Sequence, residues 1–297
     1  MTAPVEGAQD SSRYRIEHLS RFVYSEPVRR CVMSLCLQPL RSPGQRLVGF
    51  SVKTTPPARL TTEDDPFGNT RHILTLHLDH DSLEVVSTSE VEMEPPPALP
   101  ERLGVSTWEE VRAVGADPKW WDFTGSSPVA RPSPALSEFV KGLGVEPRDD
   151  PLADLIALSE ALNDAFEYLP GATSVDSTID EFLASGKGVC QDYAHVLVAI
   201  ARSWGVPTRY VSGYLYVTDP GLGQPGSAFG AATHAWAETH LPHLGWIGLD
   251  PTNRSLADQK YVRIAVGRDY RDVPPTRGVI EGGGDSKLEV DVRMTLL

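Results

Sequence analysis

Cysteine is scarce in this chain of 297 residues, which has three: Cys31, Cys36 and Cys190. No two of them form a CxxC motif, the spacing typical of structural zinc sites and redox-active dithiols. An odd number without paired spacing also gives no sign of a disulfide framework. Cys31 and Cys36 lie on opposite faces of a predicted strand, so we expect both to pack as small apolar side chains.

Positive charge is also scarce, with 27 lysines and arginines against 40 aspartates and glutamates, and a formal net charge of −13. This balance argues against nucleic acid or an anionic membrane as the main partner. No segment approaches the ~18 apolar residues of a membrane-spanning helix. Residues 1–13 have neither the basic nor the apolar region of a signal peptide, so we expect a disordered tail and a cytoplasmic location.

The hydrophobic fraction of 40% can fill a substantial core, and the pattern along the chain predicts two units. Between residues 14 and 94, short segments rich in strand formers alternate apolar and polar positions, which predicts an antiparallel β domain. Pro95, Pro96 and Pro97 end this pattern, because proline cannot join a strand ladder or a helix interior. We interpret 95–150 as a linker and helical connection, and 151–297 as a second domain of the α+β class.

Cys190 follows a glycine-rich turn and begins an apolar pattern with helical spacing. The predicted helix runs to about Trp204, before Gly205 and Pro207. Unpaired N–H groups and the dipole at a helix N-terminus favour the thiolate, the form of cysteine that attacks carbonyl groups. Cys190 is therefore a candidate nucleophile. Packing as a small buried hydrophobe explains this stretch equally well, because most free cysteines pack in that way.

A nucleophilic cysteine needs a general base and a group that orients the base. His234 lies on a predicted strand after a glycine-rich loop over 219–230. Asp250 ends the next strand of the same predicted hairpin, where its carboxylate could accept the second ring N–H of His234. One helix terminus and two adjacent strands can therefore bring these three residues together, although spacing alone does not establish the contact.

Three motifs follow one another in the second half of the chain: GVCQDYAH, GVPTRYVSGYLY and THAWAETHLPHLGWIGLDPTN. Together they resemble the transglutaminase-like superfamily of papain-like cysteine enzymes, in its bacterial branch. The close resemblance covers about Ser177 to Asn253. The segment from Tyr14 to Met93 resembles more loosely the N-terminal domain that commonly precedes this core. The resemblance implies an α+β fold in which the helix that carries the nucleophile packs on an antiparallel sheet.

The resemblance also implies a role for each candidate residue. Cys190 would be the nucleophile, His234 the general base and acid, and Asp250 the orienting carboxylate. The backbone N–H of Cys190 would be one oxyanion donor by analogy with papain-like sites, while the second donor stays open. No metal and no cofactor is expected, because the histidines near His234 lack a zinc-binding spacing.

Three further residues are candidates for the substrate cleft: Gln191, Tyr214 and Trp236. Gln191 follows the nucleophile and could donate a hydrogen bond or point away. Tyr214 lies on the strand that the family pattern places near the cleft, and Trp236 lies two residues after His234 on a strand. Core packing explains Tyr214 and Trp236 equally well.

Three functions are compatible with these residues. The first is a cysteine-dependent hydrolase of a peptide or isopeptide amide, acting through a thioester. The second is a transglutaminase, which transfers the acyl group of a glutamine side chain to a primary amine. The third is a non-catalytic module that binds peptides. A peptide or protein substrate is the expected partner in each case.

Overall fold

The computed structural model describes residues 11–103, 108–217, 227–229 and 233–297. These residues form two antiparallel sheets, one short pair of parallel strands and a set of helices. Most of the loop predicted over 219–230 and most of the predicted N-terminal tail lie outside the described residues.

The larger sheet has eight antiparallel strands and is organised around its first one. The strands are β1 (Ser12–Leu35), β2 (Gln45–Thr55), β3 (Arg59–Asp64), β4 (Thr70–Leu76), β5 (His80–Met93), β9 (Ser227–Phe229), β14 (Thr276–Gly282) and β15 (Ser286–Leu296). The first half of β1 pairs with β5 and β15, and its second half pairs with β4 and β14. Alternate side chains from Tyr14 to Ser20 are buried, as expected for a strand with one face on a core.

The strand pairing differs from the predicted domain division at both ends of the chain. β14 and β15 pair with β1, so Thr276–Gly282 and Ser286–Leu296 belong to the larger sheet and not to a second domain that continues to residue 297. The buried side chains of Val292 and Met294 explain this pairing, because they continue the apolar face of β1. At the other end, β1 begins at Ser12, inside the predicted tail of 1–13.

The smaller sheet has five antiparallel strands, in the order β12, β11, β10, β8, β13. These are β8 (Thr208–Leu215), β10 (His234–Leu241), β11 (Gly245–Asp250), β12 (Ser255–Leu256) and β13 (Tyr261–Gly267). Helix α6 (Cys190–Ser203) packs on β8 and β10, and all its residues from Gln191 to Arg202 are buried. This is the arrangement that the sequence motifs implied: a central helix on an antiparallel sheet.

Five further helices in the described part of the chain lie between the two sheets in the sequence, and several of them pack against α6. They are α1 (Trp108–Gly115), α2 (Trp121–Thr124), α3 (Pro134–Leu143), α4 (Pro151–Ala165) and α5 (Ile179–Ser185), with 3₁₀ turns at Pro118–Trp120 and Tyr270–Asp272. A parallel pair of two-residue strands, β6 (Glu167–Tyr168) and β7 (Lys187–Gly188), follows α4 and precedes α6. Among the described residues, no helix combines the length and apolarity needed to cross a membrane.

Two side-chain amides of the N-terminal region close the open edge of β13. Gln45 donates to the carbonyl of Arg263 at 2.7 Å and accepts from its backbone N–H at 2.8 Å. Asn69 binds Val266 in the same two ways, at 2.7 and 2.8 Å. Both amide side chains are buried. Because an open strand edge exposes unpaired backbone groups, the N-terminal sheet completes the smaller sheet through these contacts.

Candidate active site

Cys190 is the first residue of α6, and the preceding turn places it at the helix terminus. Gly186 ends α5 with a φ of 67°, a left-handed conformation that favours glycine. Val189 is extended, and the buried carboxylate of Asp192 accepts its backbone N–H at 2.8 Å. The side chain of Cys190 is partly exposed. The sulfur therefore lies at the positive end of a helix, within reach of solvent.

The other two cysteines are in a different environment. Cys31 and Cys36 are 1% and 2% exposed and belong to separate hydrophobic clusters. Burial raises the pKa of the Cys31 thiol to about 11 and that of Cys36 to about 12. Such thiols stay protonated and unreactive at neutral pH. The prediction that both pack as small apolar residues is confirmed, and Cys190 is the exposed cysteine of the three.

His234 begins β10 and lies between a thiol and a carboxylate. Its Nε2 is 2.7 Å from Asp250 Oδ2, and the Cys190 thiol lies close enough to the same ring to help raise its pKa. Since Nε2 faces Asp250, Nδ1 is the ring atom available to the thiol. Burial alone lowers the pKa of His234, but the hydrogen bonds and charges of Asp250 and Cys190 outweigh it and raise that pKa to about 10. The site therefore favours the protonated imidazole at neutral pH.

Asp250 ends β11 with a carboxylate that is closed off from solvent. Its Oδ2 accepts hydrogen bonds from the Tyr261 hydroxyl at 2.9 Å and from Asn253 Nδ2 at 2.7 Å. Its Oδ1 accepts from the backbone N–H of Thr252 at 2.9 Å. Burial raises the pKa of Asp250, but the hydrogen bonds from His234, Asn253 and Tyr261 outweigh it and lower the pKa below its ordinary value. Asp250 is therefore a fixed anion against one edge of the imidazole.

Trp236 packs beside the ring of His234 and does not line an open cleft. Its side chain is 0% exposed, and its ring lies 6.1 Å from that of His234 at an interplanar angle of 26°. The indole covers Gly213, where a Cβ would come within 2.5 Å of it and 2.2 Å of the Val262 carbonyl. The prediction of Trp236 as a cleft residue is wrong, because the indole is packed into a buried cluster with Tyr261.

Tyr214 also lies away from the cleft. Strand alternation turns its side chain to the opposite face from Gly213. Its hydroxyl is 2.7 Å from His18 Nδ1 in β1, and both side chains are buried. Burial lowers the pKa of His18 to about 4, so the pair is neutral at pH 7. The prediction that Tyr214 lines the cleft is wrong: this residue joins the two sheets.

Gln191 holds a neighbouring loop. Its side chain is buried, and Nε2 donates to the Val175 carbonyl at 3.1 Å. The next residue, Asp192, accepts from the Thr173 hydroxyl at 2.6 Å. The two residues after Cys190 therefore fix the loop over 169–178 beside the site. Gln191 tethers this loop in the structure, and its contact with substrate stays a prediction.

Sequence reasoning misses three residues of the site, which are Tyr168, Asn253 and Tyr261. Tyr168 is half-exposed, and its pKa is raised first by burial and then by the negative charges of Cys190 and Asp250. Pro170 and Gly171, which follow closely, were the available signal that the preceding helix ends before Tyr168. Asn253 and Tyr261 carried no such signal.

Comparison with known proteins agrees with this geometry. The description "Transglutaminase-like superfamily" matches residues 141–251, and "Bacterial transglutaminase-like N-terminal region" matches residues 14–92. An uncharacterised protein of Mycobacterium tuberculosis is 32% identical over 306 residues, which cover all of this chain and 95% of that protein. The chain belongs to the transglutaminase-like superfamily.

Two further relatives show how far this transglutaminase-like similarity extends. A protein-glutamine gamma-glutamyltransferase of Pseudomonas aeruginosa is 29% identical over half of this chain, which is 22% of that protein. The crystal structure of "a Putative Cysteine Protease from Cytophaga hutchinsonii" matches 97% of this chain and 92% of that one, with a TM-score of 0.75 and 18% identity. At 18% identity, the match to this crystal structure shows the fold alone, including the N-terminal sheet.

Proposed function

We propose that this protein is a cysteine-dependent amide hydrolase that acts through a thioester on Cys190. One observation carries the proposal: the imidazole of His234 is 2.7 Å from Asp250, and the Cys190 thiol is near enough to the same ring to help raise its pKa. A nucleophile, a base and a group that orients the base are the three parts that such chemistry needs. The substrate class is a peptide or isopeptide amide.

In the acylation step, the Cys190 thiolate attacks the amide carbonyl and forms a carbon–sulfur bond. The imidazolium of His234 gives its proton to the amide nitrogen, the carbon–nitrogen bond breaks, and an amine leaves. Asp250 stays ionised and keeps the ring in position, as its lowered pKa favours. This step ends with a thioester on Cys190 and a neutral imidazole.

The tetrahedral intermediate of this step needs hydrogen-bond donors for its oxyanion. The backbone N–H of Cys190 is one, because it lies at the N-terminus of α6. The second donor stays open; the half-exposed hydroxyl of Tyr168, whose pKa burial and Cys190 raise, is a candidate for it. A phenol that stays protonated at neutral pH can donate to an oxyanion.

In the deacylation step, water attacks the thioester and gives one proton to His234. The carbon–sulfur bond breaks, a carboxylic acid leaves, and the thiolate–imidazolium pair is restored. A primary amine in place of water would form a new amide, which is the second candidate function. The observation that favours it is the 29% identity, over half of this chain, to a protein-glutamine gamma-glutamyltransferase.

The non-catalytic alternative is less well supported. A peptide-binding module has no use for a buried carboxylate that raises the pKa of a histidine next to an accessible thiol. Groups with strongly shifted pKa values beside a nucleophile are typical of enzyme sites.

Glutamine-containing peptides, with and without a labelled primary amine, test the proposal. We expect release of ammonia with formation of glutamate for a hydrolase, and incorporation of the label for a transferase. Cys190→Ala should abolish both, whereas Cys31→Ala, which removes a buried thiol of the larger sheet, should abolish neither. Activity that survives in Cys190→Ala would overturn the assignment of the nucleophile.

A further inference from the structure

A pocket of about 320 Å³ opens beside the candidate active site. Asn253 lines this pocket and also belongs to the site. Its Nδ2 is 2.7 Å from Asp250 Oδ2 and 3.5 Å from His234 Nε2. Tyr261, whose hydroxyl binds Asp250, forms another wall of the pocket. The pocket therefore adjoins the side of His234 that faces away from Cys190.

The walls of this pocket combine apolar surface with one fixed negative charge. Val217, which is 54% exposed, and Leu256 supply the apolar part, and the ring of Tyr216 lies next to them. The carboxylate of Asp258 is held in place by the backbone N–H of Lys260 at 2.8 Å. The charge of Asp258 also contributes, after burial, to the raised pKa of Tyr14, whose ring packs against Tyr216.

A carboxylate beside an aromatic ring favours a cation, and apolar walls favour an aliphatic chain. Lys260 opposes this preference, but it is exposed, so its ammonium is hydrated. Asp258 is less exposed and is fixed by a backbone hydrogen bond, which makes it the stronger of the two charges at the pocket wall. The pocket thus suits an aliphatic chain that ends in an ammonium group.

The position of the pocket relative to His234 decides which side of the substrate it faces. His234 protonates the departing nitrogen, so the amine side of the amide extends over the imidazole. Asn253 and the pocket come next in that direction, while the loop over 169–178 lies on the other side, tied to Gln191 and Asp192. A long substituent on the nitrogen would extend towards the pocket, whereas ammonia carries no substituent.

We propose that this pocket binds a cationic group on the amine side of the reacting amide, at the end of an aliphatic chain and beside Asp258. The inference rests on the proposed function, and it holds for either acceptor. An amine that leaves in acylation and one that enters in acyl transfer pass through the same place, because the two steps are the reverse of each other.

Three substrates that share one glutamine peptide test the proposal. Their side-chain amides carry ammonia, pentylamine or 1,5-diaminopentane as the leaving group, so the last two differ only in the distal ammonium. In the wild-type protein we expect kcat/KM for release of the diamine to exceed that of pentylamine about three- to fivefold, the range of a partly exposed ion pair. Ammonia release reports acylation without use of the pocket.

Asp258→Asn should remove the preference for the diamine and leave ammonia release unchanged. Asp79→Asn, at an exposed aspartate in the turn between β4 and β5, is the matched control and should keep the preference. Val217→Trp should fill the pocket and slow release of both aliphatic amines relative to ammonia. Val279→Trp, at a valine 73% exposed on β14, is its control. Thermal unfolding of each variant verifies folding.

The outcomes separate the two proposals. If the wild-type protein releases none of the three leaving groups, the proposed function fails and this inference fails with it. If all three are released but the diamine has no advantage, or keeps it in Asp258→Asn, the pocket assignment alone is overturned. Unchanged release of both aliphatic amines in Val217→Trp would overturn it as well.

Discussion

Two buried carboxylates on neighbouring strands of the smaller sheet have very different partners. Glu238 on β10 binds Arg209 at 2.6 Å and also binds Arg263, while Asp250 at the end of β11 binds His234. Both are 0% exposed. Burial raises the pKa of Glu238, but Arg263 and Arg209 outweigh it and lower that pKa to about 2. The pKa of Asp250 is lowered as well.

The difference between the two carboxylates lies in whether the partner can give up its proton. Arginine stays charged at any pH at which the protein folds, so the Glu238 cluster is a permanent ion network. Histidine exchanges its proton, so the Asp250 pair can take part in acid–base chemistry. Burial and a lowered pKa alone therefore do not mark a carboxylate as catalytic. The residue that it binds must also be able to give up a proton.

The largest expected effect is that of Asp250→Asn on activity. The amide keeps the shape of the carboxylate but not its charge, so the imidazolium of His234 loses its stabilisation. We expect kcat/KM for ammonia release from a glutamine peptide to fall by about 10² to 10⁴. Urea unfolding of the variant verifies that the loss is measured on folded protein. A variant with activity within a few-fold of wild type would remove Asp250 from the proposed mechanism.

Glu238→Gln should lower the stability of the protein and leave its activity nearly unchanged. The change leaves Arg209 and Arg263 buried without a counter-charge, which should lower the free energy of unfolding by about 3–5 kcal/mol. Activity per folded molecule should stay near the wild-type value. Glu281→Gln, which breaks an exposed ion pair with Arg30, is the control and should cost less than about 1 kcal/mol. If Glu238→Gln lost activity but kept its stability, Glu238 would take part in the reaction and its contrast with Asp250 would be contradicted.

The third prediction concerns the pH dependence of stability. His234 has a pKa of about 10 in the folded protein, above its ordinary value, so its stabilising effect is complete below about pH 6.5 and disappears as the pH rises through 10. Over that window, stability should fall by at most about 1.4 kcal/mol per pH unit from this group. Urea titrations should show this loss in the wild-type protein and not in His234→Gln. If the stability of both proteins changed with pH in the same way, the raised pKa of His234 would be contradicted.

The smallest expected effect is that of Tyr261→Phe. This change removes the hydroxyl that binds Asp250 at 2.9 Å and Ser255 at 2.7 Å, while the ring can stay beside Trp236. The loss of such a hydrogen bond should cost about 1 kcal/mol of folding free energy. Activity should fall far less than in Asp250→Asn. A loss as large as that of Asp250→Asn would give Tyr261 a direct part in the reaction.

The parts of the site that sequence could predict are those with local signals. Helix periodicity after a glycine turn placed Cys190 at a helix N-terminus, and two strands of a hairpin brought His234 and Asp250 to one end of a sheet. The structure joins His234 to Asp250 by a hydrogen bond and brings Cys190 close enough to His234 to affect its pKa. Their catalytic roles stay a prediction, since geometry alone does not measure a reaction.

Contacts between distant segments could not be predicted in this way. Alternation along β8 shows that Tyr214 and Gly213 face opposite sides, but not that the Tyr214 side meets His18, 196 residues earlier in the chain. The same limit applies to β15, whose alternation indicates a strand without naming β1 as its partner. Helix α4 ends at Ala165, and no local pattern connects Tyr168, three residues later, with Cys190.

The central claim is that the acyl group of the substrate is carried by Cys190, and intact-protein mass spectrometry tests it most directly. The protein is mixed with a glutamine peptide, quenched in acid within the first turnovers, and digested to locate the adduct. The account predicts a mass increase equal to the peptide minus ammonia, on the fragment that contains Cys190, and none in Cys190→Ala. An adduct on another residue, or turnover without any adduct on Cys190, would contradict it.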